Sequence, residues 1–253
     1  GDNALIVGVV VADTESKRYL SRAVGPGLAA FGAAGVVPDP QLSIYGGNGV
    51  ELFRNNGWEF GPDAARLPSY SRSVGAFPLA AGSSDSALAS AISAGAYTVQ
   101  VTTPTGQSGV GLAELYELDG NGRTVNLSTR AHVRTGDGVL IGGFVVQGPA
   151  YKRMLIRAVG PTLNAFGLSE ALADPILTVY SGSEIVTSND RWESSDNAAA
   201  VAAASKTAGA FALTANSPDA ALLITLPPGA YTVEVKGKGE TEGVALLEIY
   251  EVP

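Results

Sequence analysis

The chain has 253 residues, 45% of them hydrophobic and 16% charged, with 32 glycines, no cysteine and a formal net charge of −8. This composition suits compact, turn-rich β-structure rather than disorder. It excludes disulfides and thiolate metal sites, and its acidic balance gives no footprint for nucleic acid or an anionic membrane.

Acidic residues outnumber basic ones by 11 to 6 over residues 1–120 and by 13 to 10 over 121–253, so the charge is shared along the chain. No apolar run reaches the roughly 18 residues of a spanning helix, which argues against membrane insertion. No charged-then-apolar leader stands ahead of Gly1, so any signal peptide is expected to be already removed. An extracellular or cell-surface location is the expectation.

Residues Lys17–Gly32 (KRYLSRAVGPGLAAFG) recur as Lys152–Gly167 (KRMLIRAVGPTLNAFG). The match extends outward at one constant offset through Tyr45 and Tyr180. After one deleted residue it resumes with Trp58 and Trp192, Gly75-Ala76-Phe77 and Gly209-Ala210-Phe211, and Tyr116-Glu117 and Tyr250-Glu251. A repeat of about 120 residues can close its own core. Two tandem homologous domains are therefore expected, 1–120 and 136–253, with 121–135 as a linker and opening strand.

In chain order, Leu5–Val11 and its counterpart Val139–Val146 are nearly continuous β-branched runs, the pattern of a strand covered on both faces. A second strand follows through Leu20–Val24 or Leu155–Val159, ended by Gly25-Pro26 or Gly160-Pro161. The proline then opens a short helical turn closed by Gly32 or Gly167, expected to pack Phe31 or Phe166 inward. Asp39-Pro40 and Asp174-Pro175 start a third strand, with Leu42 and Ile44, or Ile176, Thr178 and Tyr180, on one side. Asn48-Gly49 signals a tight hairpin turn.

Asn197-AAAVAAASK is the clearest helix, with Ser195 or Asp196 as its cap and Gly209 as its stop. The first copy carries Pro68 there, so its helix should be shorter or broken. The last third of each copy alternates as antiparallel β, as in Tyr231, Val233 and Val235. Seven or so short strands with glycine turns predict an all-β fold, a β-sandwich in each domain with one or two short helices; a barrel is the nearest competitor.

The run Asn126–Arg130 (NLSTR), Thr135-Gly136-Asp137, Lys152-Arg153, Leu155–Pro161, Asn189–Trp192, Gly209-Ala210-Phe211 and Pro228–Thr232 resembles a repeat module found in tandem in very large exported proteins of environmental bacteria. The resemblance covers 126–253 and, more loosely, 1–120. It implies a surface or extracellular-matrix protein and no catalytic assignment. The closing hairpin also resembles the small sandwich domains appended to secreted bacterial peptidases, an analogy of fold alone.

Val125–Val133 reads as the second copy's opening strand, and the first copy shows no counterpart. Such a sandwich keeps an open edge. Strand addition from another chain, tolerance of the loss, and pairing of 123–133 back onto the first copy are the three ways to resolve it.

No residue set makes a convincing catalytic, cofactor or metal site. His132 is the only histidine, which leaves little for a triad or a His-based metal site. Glu114 and Glu117 recur as Glu248 and Glu251, but their odd spacing points them to opposite faces of a strand. Asn189, Asp190, Asp196 and Asp219 offer oxygen ligands for calcium, but Asn56 replaces Asp190 in the first copy, and Asp85 and Asp219 suit turn amides better. Arg22 and Arg157 are expected to tie to a carboxylate such as Asp39 or Asp174. Trp58 and Trp192 read as core anchors.

The leading expectation is a non-enzymatic structural protein, a subunit of a filament, surface layer or matrix that self-assembles through edge strands as a homo-oligomer or homopolymer. The alternative is a carbohydrate or cell-surface adhesion module, with calcium as an optional aid and a glycan or surface partner.

Overall fold

The computed structural model describes residues 4–12, 15–104, 107–120, 123–194 and 198–253. It divides into two compact units, 1–125 and 126–253, so the opening strand from Asn126 onward packs with the second copy.

In the first unit, strands β1 (Leu5–Ala12), β2 (Lys17–Val24), β3 (Gln41–Gly46), β4 (Glu51–Asn55), β5 (Ser86–Ile92), β6 (Gly95–Thr102) and β7 (Leu112–Gly120) form two antiparallel layers. One runs β4-β3-β6-β1 and the other β5-β2-β7. A short helix, α1 (Leu67–Ser73), lies between β4 and β5 in sequence.

The second unit adds β8 (Arg123–Val133), which belongs to it from Asn126 onward, and then repeats the plan with β9 (Leu140–Val146), β10 (Lys152–Val159), β11 (Pro175–Ser181), β12 (Glu184–Asn189), helix α2 (Ala198–Thr207), β13 (Ala220–Leu226), β14 (Gly229–Gly237) and β15 (Gly243–Val252). Its layers run β12-β11-β14-β9 and β13-β10-β15-β8. The all-β sandwich expected from the turn-rich pattern is the fold observed.

In the second unit Met154, Ile156, Leu247 and Ile249 of one sheet meet Leu177, Val179, Val233 and Val235 of the other. The outer side of the first sheet is covered in turn: Leu155, Ala221 and Tyr250 pack on Val201 and Ala204 of α2. β10 is therefore enclosed on both faces, which is why MLIRAV is buried without a break. The first unit packs Leu20 and Ala87 on Leu67 of α1 in the same way.

Four expectations need correction. β9 was expected to be covered on both faces, yet Ile141 and Val145 are exposed, because the helical layer lies on the other sheet. β1 is intermediate, with Val7, Val9 and Val11 buried and the residues between them half-buried. On β11 the inward residues are Leu177 and Val179, not Ile176, Thr178 and Tyr180; they are the counterparts of Leu42 and Ile44. Phe31 and Phe166 are 65% and 61% exposed rather than inward. The turns Pro26–Phe31 and Pro161–Phe166 are 3-10. Leu163 takes the inner place at 4% exposure, and Phe166, one turn on, rests against Phe211 at the surface.

Pro68 lies in the first turn of α1, where no helical N–H is lost, and the helix has 7 residues against 10 in α2. The proposed caps Ser195 and Asp196 lie outside the described residues. Gly209, with φ of 72°, ends α2 as expected, and Ala210 N donates back to Ser205 O.

The deleted residue falls in a hairpin. Tyr45 pairs with Glu51 around the turn closed by Gly49 N to Gly46 O, whereas Tyr180 pairs with Ile185.

Candidate functional site

Antiparallel pairing sets Glu248 of β15 directly opposite Arg157 of β10. Both side chains turn to the helix-covered face, where Arg157 is fully buried and Glu248 is 5% exposed. Arg157 Nη2 lies 2.9 Å from Glu248 Oε2, a charge contact without in-line hydrogen-bond geometry. Its Nη1 donates to the Phe211 carbonyl at 2.7 Å, while the guanidinium sits 4.5 Å over the Phe211 ring. Phe166 meets that ring edge-on at 4.9 Å. Tyr250, two residues along β15, donates its hydroxyl to Glu248 Oε1 at 2.6 Å.

The first unit builds the same cluster from Arg22, Glu114, Phe77, Phe31 and Tyr116. Burial, then the neighbouring glutamate, pushes the Tyr250 hydroxyl well above the usual tyrosine range, and Tyr116 is displaced the same way for the same reasons.

The arginines therefore pair with Glu248 and Glu114, not with Asp174 or Asp39, because strand order places a carboxylate of the closing strand across from them. An arginine this deeply buried and already paired offers nothing to an incoming anion. Glu117 and Glu251 are bound to Lys17 and Lys152 at 2.7 and 2.8 Å. The duplicated carboxylates accordingly hold cations rather than flanking a substrate cleft.

Asp219 is fully buried and gathers the corner after β10. Its Oδ1 accepts from Gly160 N at 2.7 Å and Thr162 N at 3.4 Å, and its Oδ2 from Ser217 Oγ at 2.5 Å and from Thr162 Oγ1. Asp85 does the same for Gly25 N, Gly27 N and Ser83 Oγ. The corner is tight: a Cβ on Gly160 would lie 2.1 Å from Leu172 O, and one on Gly25 would lie 2.0 Å from Val37 O, so only glycine fits.

The other oxygen donors considered for calcium disperse. Asn189 Oδ1 accepts from Arg191 N and Ala221 N, and Asp190 pairs with Lys238 at 2.7 Å, a contact that lowers its pKa. Asp196 lies outside the described residues, and no group of three metal-ligating side chains occurs among those described.

His132 is exposed on β8, opposite Val244. Trp58 packs against the Leu20, Leu67 and Ala87 cluster and Trp192 against the Leu155 and Val201 cluster, as anchors between sheet and helix. An open depression of about 230 Å³ lies beside Asp39, Asn56, Glu59, Phe60 and Ser83 in the first unit.

Sequence reasoning missed the roles of Phe77 and Phe211. Their signal was the recurring Gly-Ala-Phe, which places a ring and a carbonyl at the same distance after each helix.

The two units differ at one edge. β15 is flanked by β10 and β8, with Leu127 opposite Ile249 and Thr129 opposite Leu247. β7, its counterpart, pairs with β2 and with no other strand among the described residues. The consequence shows in burial. Ile249 and Leu247 are 5% and 1% exposed, whereas Leu115 and Ala113 are only half-buried. The Glu117 side chain is 42% exposed against 23% for Glu251.

No protein-family model matches the chain, and no curated protein is similar to it in sequence. Among solved structures, PNGF-II aligns over 98% of this chain and 60% of its own, at 11% identity and a TM-score of 0.23. The STIV MCP aligns over 97% and 89% at 10% identity and 0.22, and the PBCV-1 virus capsid over 96% and 88% at 6% and 0.20. The chain thus spans less than two thirds of PNGF-II, and similarity this low carries no argument about function.

Proposed function

We propose that this chain is a non-enzymatic structural module of an extracellular or cell-surface assembly, a filament, surface layer or matrix, joined by pairing of exposed sheet edges. The observation that carries the reading is the single-sided pairing of β7 among the described residues, on a strand whose counterpart in the second unit is flanked on both sides. The fate of the charged side chains supports it: the duplicated arginines and glutamates neutralise one another inside the fold.

Electron microscopy and sedimentation of the purified chain test the reading. Ordered fibres, sheets or concentration-dependent oligomers are expected, and a monomer at every concentration would overturn self-assembly.

One observation favours adhesion as a second reading. Each unit displays a phenylalanine, Phe31 or Phe166, on a ring already held by a buried arginine, and such a rigid exposed face can stack on a sugar. Glycan-array binding that is lost in the Phe31→Ala and Phe166→Ala variants would favour it.

A further inference from the structure

The second unit builds in a cation that the first unit lacks. At the start of β11, Lys238 acts twice: its backbone N–H donates to the Asp174 carbonyl at 2.8 Å, and its ammonium lies 2.7 Å from Asp190 Oδ2. The hydrogen bond and charge of Asp190, and more weakly the charge of Asp174, raise the Lys238 pKa. The group that these two carboxylates hold is thus an alkylammonium.

Both units keep one register here, with Ile176 opposite Lys236 and Gln41 opposite Thr102. Two residues on, Pro104 takes the place of Lys238, while Asp39 and Asn56 take those of Asp174 and Asp190. Proline removes both donors at once, having neither an amine nor a backbone N–H. At this place the first unit has the open depression of about 230 Å³, lined by Asp39, Asn56, Glu59, Phe60, Ser83 and Ser84. The Asp39 carboxylate and the Asn56 amide make no hydrogen bond to the protein among the described residues. Glu59 accepts Gly82 N through Oε2 at 3.1 Å, which fixes where its charge sits. No lysine or arginine lines the depression, so its two carboxylates have no cation there to offset them. Its volume is below the roughly 300–1,000 Å³ of pockets that enclose drug-sized ligands, so it suits one extended side chain or a small amine.

We propose that this depression is a binding site for a primary alkylammonium group, with Asp39 and Glu59 balancing the charge, Asn56 Oδ1 accepting a hydrogen bond and the Phe60 ring covering the methylenes. The site takes from outside the group that Lys238 supplies from within the second unit. Phe60 is 73% exposed, and an aromatic face attracts a cation as well as an alkyl chain. A free aliphatic amine and a lysine side chain of another protein carry this chemistry alike. The inference is independent of assembly through sheet edges.

The test titrates the full, isotope-labelled chain with n-butylammonium chloride, and with lysine capped by acetyl and methylamide groups, and follows amide chemical shifts. Saturable shifts confined to residues 56–60 and 82–84 are expected in the millimolar range, weakening with added sodium chloride, as exposed charge pairs do. n-Butanol, which keeps the alkyl chain without the charge, should produce none. The double variant Asp39→Asn, Glu59→Gln should bind about fivefold to tenfold more weakly, with its melting midpoint as the check on folding. Conversely, Asn56→Asp with Pro104→Lys installs the second unit's pair in the first and should abolish binding there. Lys238→Ala should open the matching site, so that butylammonium also shifts the amides around Asp190.

Tighter binding of the capped lysine than of butylammonium identifies a chain-borne lysine as the source, and the reverse identifies a free amine; either upholds the site. Absence of shifts with both amines would overturn the proposal, as would equal shifts with n-butanol or unchanged affinity in the double variant. Calcium chloride that displaces the amine at micromolar concentration would reassign the carboxylates to a divalent cation and overturn it too.

Discussion

Arg157 grips Phe211 twice, its Nη1 on the backbone carbonyl at 2.7 Å and its guanidinium 4.5 Å over the ring. The segment after α2 is thereby fastened to the sheet by a charge that Glu248 neutralises from the neighbouring strand. Replacing Arg157 with Met leaves Glu248 buried without its partner and should cost the second unit about 3–5 kcal/mol. The double variant Arg157→Met, Glu248→Leu removes both charges and should recover most of that loss. Denaturant unfolding, read as separate transitions for the two units, checks both. An equal loss in the single and double variants would show that the contact with Phe211, rather than the uncompensated charge, dominates.

Asp219 organises its corner through four hydrogen bonds, from Gly160 N, Thr162 N, Thr162 Oγ1 and Ser217 Oγ. Asp219→Ala should destabilise the second unit by about 3 kcal/mol, since charge-assisted bonds are lost and buried donors are left unmet. Asp85→Ala should cost the first unit less, because Asp85 serves three donors. Millimolar calcium should leave both melting midpoints unchanged, and a rise would return these carboxylates to metal binding. Scanning calorimetry measures all three.

The first unit's core carries a correctable fault. Ser21 and Ser90 are buried, and their hydroxyls have no hydrogen-bond partner among the described residues, while the equivalent positions of the second unit hold Ile156 and Ile224. Ser21→Ala and Ser90→Ala should each raise the stability of the first unit by about 1 kcal/mol, as the cost of an unsatisfied hydroxyl disappears. A loss of stability in either variant would mean that the hydroxyl is satisfied after all.

Alkaline stability should depend on Tyr19. Burial pushes its hydroxyl up to about 12 from an ordinary value of 10.0. The folded state therefore holds this proton to higher pH than the unfolded chain does. The associated stability is complete below pH 10.0 and declines as pH rises toward about 12. Tyr19→Phe should flatten that part of the first unit's stability profile, and tyrosinate absorbance should show Tyr19, Tyr116 and Tyr250 ionising late. Early ionisation of all nine tyrosines together would contradict this.

Much of the fold was legible because the sequence says most things twice. The recurrence of KRxLxRAVGP located β2 and β10, and the shared Gly-Pro located the corners. The partners of Arg22 and Arg157 were not legible. Asp39 and Asp174 are nearer in sequence than Glu114 and Glu248, but the partner is set by which strand lies alongside, and local pattern does not carry strand order. The exposure of Ile141 and Val145 was hidden for a similar reason: a run of β-branched residues gives the strand, while only the position of α2 tells which sheet gains a second covering. The place of Phe31 and Phe166 depended on a ring contact with residues 46 and 45 positions further on.

The hairpin that absorbs the length difference between the copies has a practical consequence. Tyr45 and Glu51 pair across a turn one residue longer than the turn between Tyr180 and Ile185, yet the strands on either side keep the same partners. Evolution has already edited chain length there without disturbing the sheet, and loop closure grows only slowly with added residues. The turn around Asn48-Gly49 is thus a port for foreign sequence, where an epitope or a chelating tag would ride outside the module and leave the strand pairing intact.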